Sequence, residues 1–112
     1  MQLHPYKTSG GKDLILEYIN SLPKDERLDG LSIIDYMTDG KLDELRIDHW
    51  RGSIYEVYFF RHNRIFYVTI EDRDVYLLHA CRKQKNKTEK KDADIIIKRA
   101  KELEKQLSKK FI

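Results

Sequence analysis

Apolar residues along this 112-residue chain change their spacing several times, and each change marks an expected element. From Lys12 onward Leu14, Ile15, Tyr18, Ile19 and Leu22 recur at helical intervals, which gives a short helix one apolar side. A second helix is expected from about Pro23, whose fixed φ suits a first turn. Asp25 and Glu26 would sit beside its positive end, and Gly40 would stop it. Its stripe reads Leu28, Leu31, Ile34 and Met37, with Gly30 as a weak point for helix formation. Because each helix has only one apolar side, the two are expected to pair as an antiparallel hairpin laid over something else. Ahead of them, Leu3-His4-Pro5-Tyr6 suits a short edge strand, where the missing proline N–H can face solvent.

After Ser53 the period changes. Residues 54–60, 64–70 and 75–81 are rich in β-branched and aromatic side chains, and the breaks at His62-Asn63 and Asp72-Arg73 suit hairpin turns, so an antiparallel meander is expected. Both faces carry apolar residues, as in a sheet covered by helices on one side and partly used on the other. Residues 41–53, including Trp50, read as an irregular connection. Ala93, Ile96, Ile97, Ala100, Leu103 and Leu107 then line one side of a long helix whose other sides carry Lys and Arg, and 109–112 are expected to fray. The predicted class is α+β: an N-terminal helical hairpin packed on a small antiparallel sheet, with a C-terminal amphipathic helix.

Composition narrows the function classes. A charged share of 37% beside 40% hydrophobic residues describes one solvated domain spanning 1–112. No signal peptide or spanning segment is visible, so a cytoplasmic protein without membrane attachment is expected. Cys81 has no second cysteine for a disulfide or a zinc site and suits strand packing. The net charge of +3 is unevenly spread: residues 1–50 carry six basic and ten acidic groups, and the remainder sixteen and nine. A cationic half is suited to a polyanionic partner, although a helix face kept basic for solubility would have the same composition.

The candidate chemistry lies where apolar strands run into cations. Segment 82–91 holds Arg82, Lys83, Lys85, Lys87, Lys90 and Lys91 against one acid, Glu89, and Lys83, Lys85 and Lys87 would share one side if the strand continued. Arg64 opens the neighbouring strand. Its guanidinium stays charged and can hold two phosphate oxygens, which suits a phosphorane as well as a surface ion pair. Plainer roles suit the remaining residues. His79 fits core packing and His62 a turn, while His4 and His49 have no evident partner. Tyr55, Tyr58 and Tyr67 suit sheet packing, though an exposed ring could stack a base for about 1–3 kcal/mol. Trp50 suits a core or rim anchor, and Glu56 either holds a neighbouring cation or acts on substrate.

Three stretches resemble the phage-derived HigB-like branch of the RelE/HigB superfamily of ribosome-dependent RNase toxins. They are Tyr55-Glu56-Val57-Tyr58, Asn63-Arg64-Ile65-Phe66-Tyr67, and Leu77-Leu78-His79-Ala80-Cys81-Arg82-Lys83-Gln84-Lys85-Asn86-Lys87-Thr88-Glu89. The third is the most specific, because its Leu-Leu-His, its lysines and its threonine keep the family spacing. In three places the chain departs: Tyr58 stands at a family arginine, Gln84 at a lysine and Glu89 at a proline. The resemblance implies a RelE-like fold and a type II toxin that cuts mRNA at the ribosome, driving a ribose 2′-OH onto the adjacent phosphate; with no clustered carboxylates or Cys/His spacing in the sequence, no metal or cofactor is expected. Arg64, Lys83, Lys87, Tyr58 and Tyr67 would be catalytic, with Arg82 and Lys85 binding RNA. Tyr58, Tyr67, His62 and Lys85 all remain open as acid or base. The implied partners are the ribosome with its mRNA and a cognate antitoxin, helix-turn-helix and HigA-like, through which alone operator DNA would be met. Two other readings are a non-cleaving RNA- or ribosome-binding module on the same scaffold and a small DNA-associating partner in a repressor complex.

Overall fold

Strand β4, Asn63–Ile70, lies in the middle of the sheet, and its run of apolar residues explains why it is buried on both sides. The computed structural model describes residues 1–83 and 87–112. The other strands are β1 (Gln2–Pro5), β2 (Ile47–Arg51), β3 (Ile54–Phe59) and β5 (Asp74–Arg82), in the order β1-β5-β4-β3-β2. Three pairings are antiparallel, whereas β1 runs parallel to β5, from Gln2 opposite Asp74 to Pro5 opposite Leu77.

Alternation along the strands sorts side chains into two layers. Val57, Ile65, Tyr67, Val75 and Leu77 meet helices α1 (Leu14–Asn20) and α2 (Lys24–Thr38) through Ile15, Ile19, Ile33 and Met37. On the opposite face Ile54, Phe66, Val68 and Leu78 meet Ile96, Ala100 and Leu103 of helix α3 (Lys90–Leu107). Asp13 caps α1 by accepting from the N–H groups of Ile15 and Leu16 at 3.0 and 2.9 Å. None of the described helices is long and apolar enough to cross a membrane.

The architecture is α+β with three helices and a five-stranded mixed sheet, and this corrects the expected N-terminal hairpin on a small antiparallel sheet. The edge strand expected ahead of the helices is present as β1, but it pairs in parallel with a strand far along the chain, which makes the sheet mixed. The Gln2 N–H donates to the Arg73 carbonyl at 2.8 Å, and His4 Nε2 meets Asp74 Oδ1 at the same distance. The second correction is β2, which the sequence presents as an irregular connection. An edge strand with only Ile47 and Trp50 half-buried has little apolar alternation to betray it.

Helix α2 also turns differently from its expected stripe. It buries Gly30, Ile33 and Met37, while Leu28 is 53% exposed. Gly30 is required by close approach: a Cβ there would lie 2.9 Å from the Phe59 ring and 3.0 Å from Ile19. The terminal segment is anchored rather than frayed, because Phe111 is buried and Glu104 Oε2 accepts from the N–H groups of Phe111 and Ile112 at 2.7 and 3.1 Å. The Phe111 carbonyl in turn takes the Ser53 N–H at 2.6 Å, beside Gly52 in the left-handed region at φ 52°.

Candidate functional site

Helix α3 covers only part of its side of the sheet. Beyond Phe66 the same face changes from apolar to charged, because register places Tyr58 opposite Arg64 and Arg64 opposite Cys81. Arg64 donates through Nη1 to Glu56 Oε1, and Lys83 Nζ lies 4.0 Å from that oxygen, so one carboxylate holds two cations. Glu56 is only 3% exposed, and such a burial is tolerable only with partners of this kind. The Arg64 guanidinium carbon sits 4.3 Å from the centre of the Tyr58 ring, with Arg46 at 4.7 Å from the same ring. The Tyr58 hydroxyl donates to Asp48 Oδ2 at 2.6 Å.

Above this layer lies an open groove of about 630 Å³. Strand β2 builds one wall with Asp48, His49, Trp50 and Arg51, and Lys83, Lys87 and Thr88 stand across from it, with Glu56 and Tyr58 between. Burial lowers the Lys83 pKa, and the nearby Arg64 charge lowers it further against the pull of Glu56. Tyr58 is shifted up, first by burial and then by its bond to Asp48, so it is a protonated donor at neutral pH. Arg64 Nε and Thr88 Oγ1 are buried without a hydrogen-bond partner among the described residues.

Four of the sequence candidates therefore meet. Lys83, Lys87 and Tyr58 line the groove, and Arg64 lies beneath them against Glu56 and the Tyr58 ring. Two candidates face elsewhere. Tyr67 is 3% exposed in the α1/α2 layer, 6.2 Å from the Tyr55 ring, and burial pushes it up to about 12; β alternation puts it on the wrong side of β4 to reach the groove. Arg82 turns to α2, where Nη2 lies 2.5 Å from Glu26 Oε1 and Nη1 donates to the Arg61 carbonyl at 3.4 Å. Asn63 Nδ2 donates to that same Glu26 oxygen at 2.9 Å, and this bond first, then the Arg61 N–H and the Arg82 charge, keep the Glu26 carboxyl below its ordinary value against the pull of burial. Arg82 thus braces helix α2 to the sheet. The remaining RNA-binding candidate, Lys85, lies outside the described residues.

His62 occupies the β3–β4 turn at φ 61°, and its carbonyl accepts the Lys83 N–H at 2.7 Å. His79 is structural: Nε2 meets Asp92 Oδ1 at 2.8 Å, and Nδ1 lies 3.4 Å from Arg99. With Cys81 these residues bring a ring nitrogen, a thiol and a carboxylate within 4.8 Å of one another. The Arg99 side chain stands beside this cluster, and burial pushes the Cys81 thiol up to about 12. The sequence marked Trp50 only as an anchor and missed the rest of the β2 wall; once 41–53 is read as a connection, Asp48 and Arg51 give no signal.

The fold and groove define a small α+β protein with lysines gathered at the uncovered end of one sheet face. A family model for the phage-derived protein Gp49-like family (DUF891) matches residues 17–101, and the chain belongs to that family. No curated protein matches it.

Proposed function

We propose that this protein is the toxin of a type II toxin–antitoxin pair, a cytoplasmic, ribosome-dependent mRNA endoribonuclease of the RelE/HigB kind. The observation that carries this reading is that Lys83 and Lys87 line one open groove directly above Tyr58 and Arg64. Membership in a phage-derived family adds support. In the reaction the ribose 2′-oxygen loses its proton and bonds to the adjacent phosphorus, the bond from phosphorus to the 5′-oxygen breaks, and that oxygen gains a proton. Lys83 takes the 2′ proton, since its lowered pKa makes a neutral amine more accessible. Lys87 holds the phosphate, and Tyr58 supplies a proton to the 5′-oxygen. Arg64 acts as a positioning residue through Glu56 and Tyr58.

The test is induction of wild type, Lys83→Met and Tyr58→Phe in cells, with transcript 5′ ends mapped. Loss of a proton-transfer group should reduce cleavage by roughly 10²–10⁴-fold. Equal cleavage by wild type and Lys83→Met would overturn the assignment. One specific observation favours a second reading, a non-cleaving RNA- or ribosome-binding module: Arg64 is committed to Glu56 beneath the Tyr58 ring, away from the open groove. Co-sedimentation with ribosomes without new 5′ ends would favour it. A type II toxin requires a protein inhibitor, and a small helix-turn-helix reading frame beside this gene would supply the HigA-like antitoxin through which operator DNA is bound.

A further inference from the structure

Strand β2 contains an irregularity in the wall of the groove. Its pairing with β3 shifts between His49 and Arg51, so that Arg51 comes opposite Ile54, a residue of the α3-side core. Asp48 and Trp50 share the groove side by ordinary alternation, and the bulge carries Arg51 onto that side as well. The two consecutive side chains therefore stack. The Arg51 guanidinium carbon lies 4.6 Å from the Trp50 ring centre, and the indole is braced edge to face against Phe66 at 5.4 Å. Trp50 is half-buried and Arg51 exposed. Two flat groups are thus fixed in one wall, while the lysines across the groove are suited to a nucleic-acid backbone.

We infer that Trp50 and Arg51 form a base-stacking platform, which seats the nucleobase next to the phosphate held by Lys87. This inference rests on the RNA reading above. Every base offers a π face, so the platform contributes grip and orientation with little preference among bases.

Trp50 is the single tryptophan of the chain, so its fluorescence reports on the platform alone. The probe is a 2′-O-methylated adenosine hexamer, which cannot be cut by 2′-OH attack, compared with an abasic hexamer of the same backbone. Binding is followed by anisotropy of an end label and by Trp50 emission. Wild type should bind the adenosine hexamer with quenching, and the abasic one about five- to a hundredfold more weakly without quenching. Trp50→Phe should keep most of that difference and Trp50→Leu should erase it, leaving abasic binding unchanged. Equal affinity of wild type for both hexamers, or tight adenosine binding with unchanged emission, would overturn the platform, and neither result depends on a variant folding. If binding of both hexamers were unaffected by Lys83→Met and Lys87→Ala, the RNA groove itself would fail instead. Absence of binding to either hexamer, both free and in the presence of ribosomes, would overturn both.

Discussion

The α3-facing side of the sheet has two halves built from the same strands, and they are held together in opposite ways. Where α3 lies on it, Phe66 and Val68 of β4 pack against Ile96, Ala100 and Leu103. Two residues earlier on the same face stands Arg64, and with it Glu56, Tyr58 and Lys83. The apolar half is stabilised by removing surface from water, about 25 cal/mol per Å², and tolerates imprecision. The charged half has no such gain to rely on. Its cations stay folded inward because a single carboxylate and one ring meet them, so geometry there is set by partners and not by volume. Stability and candidate function thus occupy adjacent strips of one surface.

The largest expected effect comes from breaking the charged half. Glu56→Gln leaves the Arg64 guanidinium buried without its counter-charge and should lower stability by about 3–5 kcal/mol in urea denaturation. Converting it into packed surface sharpens the contrast. The Glu56→Leu, Arg64→Leu, Lys83→Met triple variant, which removes both cations together with their carboxylate, should recover most of that loss or exceed wild type, while losing the proposed cleavage. A triple variant as unstable as Glu56→Gln would mean that the half is not set by these charges. In the α1/α2 layer, where packing alone decides, Gly30→Ala sets a helix preference of about 1 kcal/mol against overpacking of about 1–3 kcal/mol. The Phe59 ring is itself buried, so overpacking should win by about 1 kcal/mol, and a raised melting temperature would refute this.

The smallest effect lies at the border between the halves. Burial holds the His79 pKa below the ordinary imidazole value despite Asp92. The unfolded chain therefore binds more protons in mild acid, and stability is lost as pH falls from about 6.5 toward the folded value. Melting curves at neutral and mildly acidic pH should diverge less for His79→Gln than for wild type; equal divergence would exclude His79 as the cause.

Legibility followed the same division. Strands 54–60, 64–70 and 75–81 and helix α3 stand out because burial requires apolar residues at a fixed period. The groove cations Lys83 and Lys87 were also visible, since charges beside apolar strands are conspicuous. What escaped was set by distant or one-sided contacts. The parallel partner of β1 lies some seventy positions away, β2 has little apolar alternation, and Phe111 is held by Glu104 and Ser53. Tyr67 and Arg82 do not join the groove because alternation along β4 and β5 turns them toward the α1/α2 layer.

The parallel ladder between β1 and β5 has a consequence for synthesis. His4 waits 70 residues for Asp74, which at about 5–20 residues per second is a delay of about 4–14 s on the translating machine. Until then the sheet has an open border beside the nascent middle strand, and a chain interrupted in that interval also lacks Lys83 and Lys87. Prematurely terminated products would therefore lack the groove's lysines and be prone to stick to one another along the bare edge.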